Sequence, residues 1–173
     1  PPAQLEYLVE LAGRLIDVDG QVDLYEYCFY RVLRISLGQA ANPASYPGPR
    51  HEARRELRQA VIDLLTVVAD YGHRDAASSE QAFEAGKAYL GKWARAHDYQ
   101  SKERYTLRAL ERSLDLLTAL NGKGRNLVLK AVTAVAVHDS RVTSAETELI
   151  RTVCASLDMP LPPLIAGRRS ESE

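Results

Sequence analysis

The chain has 173 residues, enough for one domain with a full hydrophobic core or for two small ones. Apolar residues make up 46% and charged residues 26%, with a formal net charge of -1. That balance excludes a disordered chain and argues against broad nucleic-acid binding, which needs a basic stripe to displace counterions.

Helical periodicity runs through the sequence. Leu5, Leu8, Val9, Ala12, Leu15 and Ile16 follow the i, i+3, i+4 spacing of an amphipathic helix, which stops at Asp19-Gly20. A second helix starts at Asp23, where Asp23-x-x-Glu26 has the spacing of a capping box, and Tyr25, Phe29, Val32, Leu33 and Ser36 are its expected inner face. Gly38 to Arg50, with three prolines, reads as a loop of about a dozen residues. Leu57, Ala60, Val61, Leu64, Leu65 and Val68 mark a third helix from Glu52 to about Tyr71. Gly72 to Ser79 breaks it, with Ser78 or Ser79 as the next cap. Ala82, Phe83, Gly86, Tyr89, Leu90 and Trp93 mark a fourth helix, and Leu107, Leu110, Leu114 and Leu117 a fifth that ends at Asn121-Gly122. Leu127 to Val137 is apolar nearly all round; helix is preferred to strand there because nothing else in the chain offers a strand partner, and so apolar a helix is expected to be central. It is interrupted by Lys130 and falls short of the roughly 18 apolar residues that span a bilayer, so no membrane insertion by this chain is expected. Thr143-x-x-Glu146 is a second capping box, opening a seventh helix that Leu149, Ile150, Val153 and Leu157 turn inward. Gly167 to Glu173 reads as a frayed tail.

The two ends repeat one another at an offset of 120 positions. Asp19 aligns with Asp139, Val22 with Val142, Asp23 with Thr143, Glu26 with Glu146, Phe29 with Leu149 and Leu33 with Val153. The expected fold is therefore all-α: a single domain over 1–165 of about seven helices, with a pseudo-symmetric pair of helix-turn-helix units at about 3–37 and 123–158, connecting helices over 51–121, and a disordered tail over 166–173. Cys28 and Cys154 fall at non-equivalent places in the repeat and have no metal-type spacing, so both are expected reduced. The chain begins Pro1-Pro2 rather than with Met and reads as a piece of something longer.

Helix, Asp19-Gly20-Gln21-Val22, three residues, Glu26, amphipathic helix, with Asp139-Ser140-Arg141-Val142 and Glu146 as the second copy, resembles the TerB-like domain named after a tellurite-resistance protein. The resemblance is carried by both ends and is silent over roughly residues 38 to 120. It implies an all-α domain of two related helical units, with acidic turns suspected of holding metal. Ser140 departs from the pattern by replacing a glycine, which implies a strained turn. The ending Glu146-x-Glu148-Leu-Ile-Arg151 through Pro163-Leu164 is similar, over about twenty residues, to the C-terminal region of some bacterial membrane zinc metallopeptidases of the CAAX-prenyl-protease and heat-shock-protein-X-like group. That likeness implies a soluble accessory domain, on the cytoplasmic face of the bacterial inner membrane through its parent protein. The zinc would then belong to the parent, and the partner would be the parent's protease domain, another protein or a second copy of this chain.

For a site within the chain, Asp19, Asp23, Glu26, Asp139 and Glu146 are candidate oxygen ligands for a divalent metal, with Asp17 beside them. They do not form an EF-hand loop, because Gly20 is misplaced relative to Asp17 and the twelfth position holds no Glu. Helix capping alone accounts for Asp23, Glu26, Thr143 and Glu146, so no cofactor is expected in this chain. His51-Glu52 begins a zinc-protease motif, but Arg55 stands where the second His belongs. His73, His97 and His138 share no ligand spacing, and no nucleophile elbow or phosphate loop appears. Arginines and lysines around Arg54 to Arg58 and Lys87 to Arg95 are interleaved with Glu and read as solvated helix faces. Tyr25, Tyr27, Phe29 and Tyr30 crowd one helix; some of that aromatic surface is expected to remain for a partner. The reading is of a non-catalytic interaction or regulatory domain, with a metal-binding TerB-like stress-response protein as the alternative.

Overall fold

Six α-helices carry most of the described residues of the computed structural model, which are Tyr7 and residues 23–41, 53–94, 97–100 and 107–162. They are α1 (Leu24–Ala41), α2 (Arg54–Gly72), α3 (Ala76–Leu90) with a 3-10 turn at Gly91–Trp93, α4 (Leu107–Leu117), α5 (Gly122–Ala136) and α6 (Ser144–Leu157). No strand occurs among the described residues, and none of their helices is long and apolar enough to cross a membrane. Of the expected first helix only Tyr7, itself helical, is described; the Asp19-Gly20 turn and the tail lie outside the described residues.

The helix at the centre is α2, not α5. Ala60, Val61, Ile62 and the whole run Leu64 to Asp70 are buried, and α2 packs against α3, α4, α5 and α6. Its polar members are met inside: Thr66 donates to the carbonyl of Ile62 at 3.0 Å, and Asp70 accepts from the hydroxyl of Tyr99. Burial without such partners would cost several kcal/mol per group, on the order of the penalty for an unsatisfied polar atom. The segment around Leu127 to Val137 is helical as expected, yet it buries one side only. Leu127 and Lys130 face outward, because α3, α2 and α6 cover just the face of Val128, Leu129, Ala131, Val132, Val135 and Ala136.

Several boundaries move for local reasons. Helix α1 runs through Gly38 to Ala41, where an added Cβ would meet nothing within 4 Å; an exposed glycine of this kind costs a helix only about 1 kcal/mol. Its buried face is Leu24, Tyr27, Cys28 and Arg31, one position off the expected one, and Tyr25 and Phe29 are 49% and 63% exposed. The cap of α3 is Asp75, which accepts from the backbone N–H and the hydroxyl of Ser78, rather than Ser78 or Ser79. Tyr89 is exposed, while Ala82, Phe83, Gly86 and Leu90 face inward as the spacing predicts. Asn121 does not end α4; its side chain caps α5 by accepting from the N–H of Gly124 at 2.9 Å.

Two guanidinium groups, that of Arg31 buried and that of Arg125 half-buried, tie the ends of the bundle. Arg31 donates to Ser156 Oγ and to Asp115 Oδ1, each at 2.8 Å, joining α1 to α6 and α4. Arg125 donates to the carbonyls of Thr118, Leu120 and Leu157, which gathers the C-terminal ends of α4 and α6 on the first turn of α5. Helices α3 and α5 come close at Gly86, where an added Cβ would overlap Cγ2 of Val135 and stand 2.8 Å from the Ala131 carbonyl oxygen. Gly86→Ala therefore sets a helix-propensity gain of about 1 kcal/mol against overpacking of about 1–3 kcal/mol in a rigid contact. Net destabilisation is expected in urea unfolding; a variant more stable than the wild type would show that the helices separate freely.

Candidate functional site

The candidate acidic residues are engaged in building helix starts. The N–H of Glu26 donates to Asp23 Oδ1 at 2.9 Å and the N–H of Asp23 to Glu26 Oε2 at 3.0 Å, a complete capping box on α1. On α6 the N–H of Glu146 donates to Thr143 Oγ1 at 3.2 Å, and Glu146 Oε2 accepts from the N–H of Thr143 at 2.7 Å and from its hydroxyl at 2.9 Å. Asp139 Oδ1 accepts from the N–H of Arg141, closing an Asx turn. Asp19 and Asp17 lie outside the described residues. Among the described residues no group of three His, Cys, Asp or Glu side chains is placed to hold a metal ion.

The two capping boxes differ in one respect that spacing does not reveal. The α1 box is at the surface, whereas Glu146 is fully buried. Its carboxylate is laid against the end of α2: a Cβ on Gly72 would overlap Oε1, so only glycine leaves the room. Oε1 has no hydrogen-bond partner, and neither does the buried Nε2 of the adjacent His73. Nδ1 of His73 lies 3.0 Å from the carbonyl oxygen of Ala69 and must donate to it. In the neutral ring Nε2 then carries the lone pair, and in the imidazolium it carries a second N–H donor. The His138 ring lies 6.3 Å from that of His73, which places the α5–α6 turn over the same spot. Burial raises the Glu146 carboxyl above its ordinary range. The hydrogen bonds from Thr143 oppose that rise, as does the nearby His73, and Asp139 adds to it. What this junction can do chemically is bind and release a proton.

Other reactive groups are less suited to chemistry. Cys28 and Cys154 are free and buried, and burial pushes each thiol up to about 11, so thiolate is scarce at neutral pH. His51 and Glu52 lie outside the described residues. Arg58 lies over the Trp93 ring at 5.8 Å, and Lys87 pairs with Glu84 and donates to the carbonyl of His97, so part of the basic sequence is spent on packing. A cleft of about 600 Å³ between α2 and α4 mixes Arg55, Arg108 and Arg112 with Glu56 and Asp63, a lining of both signs. The structure brings Asp139 and Glu146 together with Gly72, His73 and His138. Sequence spacing missed Gly72 and His73, which stand 74 and 73 positions before Glu146; a glycine and a histidine at a helix end were the only signal.

Comparison with family models, with curated proteins and with solved structures gives no match.

The turn into α6 generates two expectations. Ser140 has φ of 64°, a left-handed conformation in which an L side chain carries about 1–2 kcal/mol of strain. Ser140→Gly relieves it and adds only about 0.4–1 kcal/mol of unfolded-state entropy, so a gain of up to about 1 kcal/mol in denaturant unfolding is expected; a loss would show that the serine side chain holds the turn. Thr143→Ala removes the hydroxyl that both caps α6 and donates to Glu146, and a cost of about 1–2 kcal/mol is expected. A change near zero in the same assay would show that the Glu146 arm alone secures the helix start.

Proposed function

We propose that this chain is a non-catalytic interaction or regulatory domain, built as a TerB-like pair of pseudo-symmetric helical units and attached to a bacterial membrane-bound zinc metallopeptidase on the cytoplasmic face. The observation that carries the interaction reading is the outward face of α1. Tyr25 and Phe29, one turn apart, are 49% and 63% exposed, opposite the buried Leu24, Tyr27, Cys28 and Arg31. Aromatic side chains bring large contact area at small entropic cost, so an exposed pair on a rigid helix is suited to docking. The repeat reading is supported by two capping boxes at the 120-residue offset and by the packing of α1 against α6, which carry them. Because the described acidic residues Asp23, Glu26, Asp139 and Glu146 are engaged in caps and turns, this reading includes no resident metal in the chain; zinc belongs to the parent.

Two measurements test it. The gene upstream of Pro1 is expected to encode apolar spans and a His-Glu-x-x-His motif, and a reading frame without them overturns the attachment to a metallopeptidase. Tyr25→Ser with Phe29→Ser should alter stability by less than about 0.5 kcal/mol per site, as surface changes do, and should abolish calorimetric binding to the upstream-encoded protease domain. Binding of wild-type strength by the double variant would remove α1 from the interface.

A further inference from the structure

Three arginines that form no ion pair among the described residues line one cavity. Arg55 on α2 and Arg108 and Arg112 on α4 border the cleft of about 600 Å³ between these helices. The reason Arg108 and Arg112 lack partners lies in α1. Glu111 and Asp115 stand three positions after them, a spacing at which opposite charges pair along a helix. Instead Arg34 takes Glu111 at 3.2 Å and Arg31 takes Asp115 at 2.8 Å, across to α1. Arg108 and Arg112 are thus like charges one turn apart, an unfavourable arrangement on a helix. Arg55 sits in the first turn of α2, where the helix dipole disfavours a cation and favours an anion. An anion in the cleft would offset each of these costs. We propose that the cleft between α2 and α4 binds a small phosphorylated polyol. Its phosphate is held by the guanidinium groups of Arg55, Arg108 and Arg112, and its hydroxyl groups by Glu56, Gln59 and Asp63.

The ligand class follows from the lining. A guanidinium presents paired N–H donors that match two phosphate oxygens, and it stays charged at any ordinary pH. The cleft's volume lies within the roughly 300–1,000 Å³ of small-molecule sites. Glu56 and Asp63 interrupt the positive wall, so a nucleic-acid backbone running along it meets repulsion. The same carboxylates are acceptors for hydroxyl groups. Gln59 donates to Asp63 Oδ1 at 2.7 Å, which orients its amide and leaves its carbonyl oxygen as a further acceptor. Buried Ala60 and Ser113 are small and give the cleft its depth beside Leu116. No aromatic side chain lines it among the described residues, so a nucleobase finds no stacking platform there. The site shares no residue with the docking face of α1 and needs no parent protein.

The test is calorimetric titration of the full chain, at neutral pH and low salt, with glycerol 3-phosphate and glucose 6-phosphate. Glucose, inorganic phosphate and adenosine monophosphate serve as comparison ligands. Saturable binding of at least one sugar or polyol phosphate at millimolar concentration is expected, with weaker binding of inorganic phosphate and none of glucose. No saturable binding of either phosphate ester overturns the site. Inorganic phosphate or the nucleotide binding as tightly as the better ester overturns the assignment to a polyol. Arg108→Gln and Arg112→Gln lie at exposed positions, and each is expected to weaken binding of the ester about tenfold, through loss of one charge-assisted contact. Unchanged affinity in both variants overturns the role of the arginines. In the wild type, where no variant has to fold, the ester should shift the amide NMR signals of Ala109 and Ser113. Shifts confined to residues outside the cleft overturn its location.

Discussion

Burying a helix on nearly every side is the constraint from which the rest of this architecture follows. Helix α2 has no solvent face along Leu64 to Asp70, so neighbours must cover it all round, and α3, α4, α5 and α6 do. Its interior can hold polar groups only where partners reach them, as Ile62 O does for Thr66 and Tyr99 does for Asp70. Its end is equally demanding. The last carbonyls of a helix need donors, and His73 answers one of them by donating both its N–H and its ring Nδ1 to Ala69 O. With Nδ1 held in this way, the other ring nitrogen, Nε2, is buried.

Around this axis the bundle is closed by arginines rather than by apolar contact alone. Arg31 and Arg125 lie at helix crossings and spend their donors on neighbours distant in sequence: Ser156 and Asp115 for the first, Leu120, Thr118 and Leu157 for the second. A planar guanidinium with five donors in fixed directions suits this work, because it can hold the ends of two helices in one plane. Asp115 is largely exposed while Arg31 is buried, so the ion pair itself is partly screened, and the hydrogen bond to Ser156 inside the core is the more protected contact. At the surface, α1 leaves Tyr25 and Phe29 in water because Arg31 and Tyr27 occupy the side that packs on α6.

Much of the chain is legible from local spacing. Most helical segments, the inward set of Phe83, Gly86 and Leu90 and the two capping boxes follow from residues within four positions of each other, whereas helix over Leu127 to Val137 was preferred for want of a strand partner and the strained turn at Ser140 came from a glycine expected in the repeated pattern. The same reasoning misplaced the inner face of α1, because apolar periodicity counts Tyr25 and Phe29 as core and does not count on a buried arginine. It also put α5 at the centre, since an all-apolar segment resembles a fully surrounded one; small residues such as Ala131 and Ala134 are equally at home on a helix covered from one side.

What the sequence determined by itself is therefore most of the helical segments and the starts of two of them, at Asp23 and Thr143, because capping boxes and amphipathic faces are written in separations of three and four residues. The tertiary structure alone decided which helix lies in the middle, which of two equivalent capping glutamates is buried, and which groups face it. Asp23-x-x-Glu26 and Thr143-x-x-Glu146 read alike along the chain. Only the packing of α6 against the end of α2 takes Glu146 out of water and sets it beside Gly72 and His73, and that desolvation turns an ordinary cap into a group whose charge depends on its surroundings.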